Sequence, residues 1–145
     1  MRNKFSSVIM TALLVLSMLT FAFEVQFVKA SGTVYIRADG SIDPSSAPIS
    51  REGSIYTFTD NISDSIVIER DNIVVDGAGH ILDGFGELSM GIDLSHRNNV
   101  KIKNITISTF YYGIYLFNSS RNSVSGNTIT ANNYYGICLG SHSSN

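Results

Sequence analysis

Hydrophobic and polar residues alternate along this chain in short runs. Ile92 and Leu94 flank Asp93, and Ile102, Ile105 and Ile107 are separated by Lys103, Asn104 and Thr106. The next stretch places Ile114 and Leu116, then Val124, Asn127 and Ile129, at matching positions. A period of two over a few residues predicts short strands, because an amphipathic helix would repeat its apolar positions at three and four. The intervening Asn, Ser, Thr and Gly residues are those that build tight turns.

A longer period lies on top of the short one. Gly91-Ile-Asp-Leu94, Gly113-Ile-Tyr-Leu116 and Gly136-Ile-Cys-Leu139 open successive units, at spacings of 22 and 23 residues. The extra residue falls within Thr130–Tyr135. Phe110-Tyr-Tyr-Gly-Ile-Tyr-Leu116 returns one unit later as Asn133-Tyr-Tyr-Gly-Ile-Cys-Leu139. Self-similarity at this length marks a solenoid, and units made only of short strands and turns predict a right-handed parallel β-helix with about 22–23 residues per coil.

The repeats are expected over residues 65–145, beginning with the β-type runs Ser65–Glu69, Asn72–Val75 and His80–Leu82. Residues 31–64 are expected to form the N-terminal cap and entry strands, with the Pro/Ser segment Ser41–Pro48 as a surface loop. Ser141–Asn145 stops where the preceding unit is still on its way to Val124. A truncated product of a longer protein is therefore expected.

The N-terminus has a different character. Arg2 and Lys4 precede an uncharged stretch from Phe5 to Phe23, and Val28-Lys-Ala30 presents small residues for a signal peptidase. Residues 1–30 read as a signal peptide cleaved after Ala30. The alternative is an uncleaved segment, the one route to membrane anchoring. Either way the expected location is extracellular or on the cell surface.

A formal net charge of −2 spread over a weakly charged chain leaves no basic footprint, so no nucleic-acid partner is expected. Cys138 is the one cysteine, so no intrachain disulfide can form. It occupies the position of Tyr115 in the preceding unit and reads as a strand residue rather than a reactive thiol.

The stretch Ser65-Ile-Val-Ile-Glu-Arg-Asp-Asn-Ile-Val-Val-Asp-Gly-Ala-Gly79, the unit Gly91-Ile-Asp-Leu94 and the Tyr-Tyr-Gly-Ile-x-Leu repeats together resemble the NosD-like and CASH-type β-helix proteins. These belong to the pectate-lyase-like superfamily, and the residues especially resemble those of archaeal surface proteins. The resemblance implies an extracytoplasmic β-helix that binds or cuts carbohydrate. NosD-like members are also linked to copper delivery for nitrous-oxide reductase, but no cluster of Met, His and Cys supports that link here, and His80, His96 and His142 are scattered. No cofactor and no metal site is expected.

Sugar cleavage would require gathered carboxylates. Asp76, Asp83, Glu87 and Asp93 are available, but Asp76 and Asp83 lie beside glycines, where Asp serves turns. Arg97, Lys101 and Lys103, the bases a lyase could use, have no acidic cluster beside them. No catalytic residue is assigned.

Tyr111, Tyr112, Tyr115, Tyr134 and Tyr135 are the expected carbohydrate-binding residues, flanked by Phe110 and Phe117. Stacked aromatic ladders with a purely structural role are the competing reading. Asn104, Asn118, Asn122, Asn127, Asn132 and Asn133 lie near turns, where an amide can satisfy backbone groups, and an inward Asn127 that stacks on equivalent amides in other coils would make a hydrogen-bonded ladder. Asn61, Asn104 and Asn118 each open an Asn-x-Ser/Thr sequon and are glycosylation candidates. Asn118, in a loop, is the most accessible of these by sequence, whereas Asn104 sits between buried isoleucines. The leading expectation is a non-catalytic exported protein, structural or binding a polysaccharide or cell-envelope glycan. The alternatives are the N-terminal part of a polysaccharide lyase or glycoside hydrolase, and a copper-maturation protein.

Overall fold

The computed structural model describes residues 32–85 and 88–145. The signal peptide expected over residues 1–30 and the carboxylate Glu87 lie outside them. The first strands are β1 (Val34–Ile36), β2 (Ile42–Asp43), β3 (Ile49–Glu52) and β4 (Ile55–Phe58). β2 folds back antiparallel on β1, and β3 on β4. These two returns close the N-terminal edges of two sheets.

Each later coil adds one strand to each of three sheets. The second coil supplies β5 (Ile66–Ile68), β6 (Val74–Asp76) and β7 (Ile81–Asp83), and the third β8 (Met90–Asp93), β9 (Lys101–Lys103) and β10 (Thr106–Ser108). β11 (Tyr112–Leu116), β12 (Ser123–Ser125) and β13 (Thr128–Thr130) follow, and β14 (Tyr135–Leu139) begins one more coil. Strands in the order β1-β5-β8-β11-β14, β4-β6-β9-β12 and β7-β10-β13 are parallel, giving a right-handed parallel β-helix of about four turns.

The stack starts earlier than the repeats reveal. β1 pairs in parallel with β5, β4 with β6, and Ile62 bridges to Leu82, so residues 34–62 already form a coil. Only β2 and β3 act as a cap. Ile42 and Asp43 form strand β2 within the stretch expected as a loop.

Register shows why aliphatic residues recur. Ile66, Ile92, Ile114 and Ile137 lie in one row, Val75, Ile102 and Val124 in a second, and Leu82, Ile107 and Ile129 in a third. All three rows point inward and form the core. Gly91 and Gly113 belong to the same design: a Cβ on Gly91 would lie 2.5 Å from the Gly113 carbonyl oxygen, and one on Gly113 would lie 2.4 Å from that of Gly136. The coils approach too closely there for any side chain.

Asn127 occupies the place of Ile105, but it does not stack on other amides. Its Oδ1 accepts the Ile105 N–H at 3.0 Å and its Nδ2 donates to the Ile102 carbonyl at 2.9 Å. Asn122 and Asn132 likewise accept the N–H groups of Val100 and Phe110. Asn145 then does the same for the N–H of Asn122. The amides thus satisfy backbone groups, side chain to backbone from one coil to the next rather than amide to amide, because the corner N–H groups have no strand partner there. The residue that lengthens the last unit is Asn133, whose N–H donates to the Phe110 carbonyl.

Burial depends on the coil above. Ile114 is fully buried, whereas Ile137, next in the same row, is 45% exposed. Truncating Ile114 to Ala should therefore cost about 2–5 kcal/mol. Ile137→Ala should cost well under half of that. Urea denaturation of the two variants checks this, and equal losses would contradict coil-on-coil burial.

Candidate functional site

The aromatic residues gather on the outer surface of the six-stranded sheet. In β11 the inward positions are Gly113, Ile114 and Leu116, leaving Tyr112 and Tyr115 outward. Register then builds two outward rows. One runs Met90, Tyr112, Tyr135, and the other Tyr35, Val67, Asp93, Tyr115, Cys138. Tyr111 and Tyr134 stand at the corner beside the first row.

The rings pack chiefly against one another. Tyr111 and Tyr134 are stacked with centroids 5.0 Å apart and planes 6° apart, and Tyr112 and Tyr135 at 6.2 Å and 20°. Tyr111 meets Tyr112 edge-to-face at 4.8 Å, and Tyr134 meets Tyr135 at 4.3 Å. Such pairs contribute about 0.5–1.5 kcal/mol each beyond simple burial. The facing surfaces of the stacked rings are therefore occupied, so contact with a partner falls to ring edges, hydroxyls and the free outer faces of Tyr134 and Tyr135. Both are about half exposed. Phe110, grouped with these residues by sequence, is a core residue at 1% exposure, packed over Gly84 and Gly91.

Desolvation by neighbouring rings pushes the Tyr112 hydroxyl above the usual phenol range. Its hydrogen bond with Tyr134 does the same for Tyr135. Both hydroxyls stay protonated and able to donate at neutral pH. Next to the rings, Thr33, Tyr35, Ser65, Val67, Met90 and Asp93 line a shallow cavity of about 230 Å³.

Tyr35, not singled out by sequence, and Asp93, considered there only as a carboxylate for sugar cleavage, both belong to this face. Asp93 could have been placed on it, since Gly91-Ile-Asp-Leu94 aligns with Gly113-Ile-Tyr-Leu116. Tyr35 could not, because its coil lacks the repeated motif.

The described carboxylates do not converge. Asp76 on β6 pairs with Lys103 at 2.6 Å and accepts the Ala78 N–H and the Asn104 amide. The Lys103 hydrogen bond is the main reason its carboxyl is held below the usual range. Asp83 on β7, in a different sheet, accepts the hydroxyls of Ser108 and Thr109. Asp93 accepts the N–H and hydroxyl of Ser95 in a local turn. Arg97 is engaged by Asp71 at 3.4 Å and the Glu69 carbonyl at 2.9 Å, while Lys101 is exposed on β9.

A family model described as periplasmic copper-binding protein (NosD) matches residues 31–145. The chain belongs to the NosD family. No curated protein and no solved structure matches it.

The donors among the described residues of this NosD-family chain do not fit a copper centre. Soft thiolate and thioether ligands suit Cu(I). Cys138, the one thiol, lies on β14, and Met90 lies on β8 with β11 between them. Two strand spacings are about 9.5 Å, too far for a shared ion. His80 sits at the corner before β7, His142 follows β14, and the Nδ1 of His96 lies 3.0 Å from the Asn118 amide nitrogen. Among the described residues no three His, Cys, Asp or Glu side chains come together as a metal site. Titration of the full chain with Cu(I) against a chromophoric chelator should show no stoichiometric uptake. One tight equivalent that disappears in Cys138→Ser would contradict this reading of the donors.

Proposed function

We propose that this chain is an exported, non-catalytic β-helix that binds glycan chains along the outer face of its six-stranded sheet. The observation that carries the proposal is the outward patch of Tyr112, Tyr115 and Tyr135 on the adjacent strands β11 and β14, with Asp93 beside Tyr115 on β8 and Tyr35 farther along that row beyond Val67. Tyrosines combine apolar edges with hydroxyl donors, the two kinds of contact that a sugar ring offers in return. Asp93 adds acceptors for sugar hydroxyls and disfavours anionic sugars at that point.

Export is supported by the charged and apolar pattern of residues 1–30 and by the family's description as periplasmic. Among the described residues no helix is long and apolar enough to cross a membrane. The dispersed, locally hydrogen-bonded carboxylates favour binding over cleavage. Copper binding, named in the family description, is disfavoured by the separation of Cys138, Met90 and the histidines.

Polysaccharide pull-down and glycan-array binding provide the test, comparing the parent chain with the Tyr112→Ala/Tyr115→Ala double variant. The expected result is binding of neutral glycans that weakens at least about tenfold in the variant, the scale of one or two lost aromatic contacts. Far-ultraviolet circular dichroism should stay unchanged. Absence of binding by the parent chain would reduce the proposal to a structural role.

A further inference from the structure

The three sequons differ sharply in the state of their acceptor amides. Asn104 is exposed, contrary to its expected shielding by neighbouring isoleucines. Its Nδ2, however, donates to the Asp76 carboxylate at 3.0 Å. Thr106, which completes that sequon, lies in β10 between β7 and β13. Asn118 is exposed as well, with its Nδ2 held 3.0 Å from the His96 ring nitrogen. Ser119 beside it is buried, and the Ser120 hydroxyl donates to Asn98 at 2.6 Å. Both asparagines adopt left-handed backbone, with φ of 55° and 47°, at corners fixed by neighbouring coils.

Asn61 presents the opposite arrangement. Its Oδ1 accepts the Ile81 N–H at 2.9 Å, which anchors the side chain by its oxygen. Its Nδ2 has no partner among the described residues, and Asn61 and Ser63 are both exposed. Apart from that side-chain bond, the segment joins the three-stranded sheet through the bridge from Ile62 to Leu82, at the sheet's N-terminal edge.

We propose that Asn61 is an N-glycan acceptor, and that Asn104 and Asn118 remain unmodified in the folded protein. The co-reactant is an oligosaccharide linked through phosphate to a polyprenyl carrier. A bond forms between Asn61 Nδ2 and the anomeric carbon of the first sugar. The bond from that carbon to the carrier phosphate breaks, and its electron pair leaves with the phosphate. Nδ2 gives up one proton to a base of the transferase. Ser63 supplies the third-position hydroxyl that completes the acceptor motif. In the cell this transfer rests on the proposed export.

The test is intact-mass analysis and glycopeptide mapping of the full chain, made in a host with an oligosaccharyl transferase. The same measurement is repeated on purified, folded chain mixed with transferase and lipid-linked donor, where export is not required. One glycan is expected, lost in Asn61→Gln and in Ser63→Ala and retained in Asn118→Gln. A bare polypeptide in the purified reaction would overturn the site, and so would a glycan that survives Asn61→Gln and disappears in Asn104→Gln or Asn118→Gln. Modification in the purified reaction but not in cells would support the site and count against export.

Discussion

A coil of 22 or 23 residues encloses almost no volume, so its inward aliphatic side chains must be covered by the coils on either side. Every other feature of this molecule follows from that dependence. The row Ile66, Ile92, Ile114, Ile137 is fully buried for its first three members and opens at the fourth, where no further strand lies on β14. Close stacking removes the side chain at Gly91 and Gly113. It also leaves corner N–H groups without strand partners, and the amides of Asn122, Asn127, Asn132 and Asn145 take that place. Apolar residues and asparagines therefore serve the same end: they join each coil to the next.

The tyrosines extend this logic to the outside. Because register is strict, a residue type at one outward position falls above the same position of the preceding coil. Tyr111 and Tyr134 stack almost in parallel for that reason alone. The ladder both ties coils together and consumes ring faces, which confines recognition to edges, hydroxyls and the last rings. Membership of the NosD family accords with this frame, and among the described residues Cys138, Met90 and the three histidines lie apart from one another. The outward rows of a β-helix can vary independently of the inward ones, so one frame can carry different surface chemistry.

The later coils were legible in the sequence because Gly-Ile-x-Leu states the inward pattern and the close approach in four residues. The first coil was not. Val34, Ile36, Tyr56 and Phe58 fill equivalent space with different residues, and recognising them requires the parallel pairing of β1 with β5 and β4 with β6. Asn127 was readable as an inward polar residue. Its partners were not, since spacing does not tell whether an amide reaches another amide or the backbone one coil away. Likewise the two-residue alternation of Ile114 and Leu116 places Tyr115 outside but not Tyr112, which is outward because Gly113 and Ile114 both face the core, and it says nothing of ring tilt, which decides whether faces or edges are offered. Phe110 shows the limit from the other side, an aromatic beside Tyr111 that turns inward to cover two glycines.

Backbone amide hydrogen exchange, resolved coil by coil, tests the dependence of each coil on its neighbours most directly. Strong protection is predicted for β5, β8 and β11 and for the corner amides of Val100, Ile105 and Phe110, falling to its lowest among the parallel strands in β14. Uniform protection from β5 through β14, or greatest protection in β14, would contradict the account.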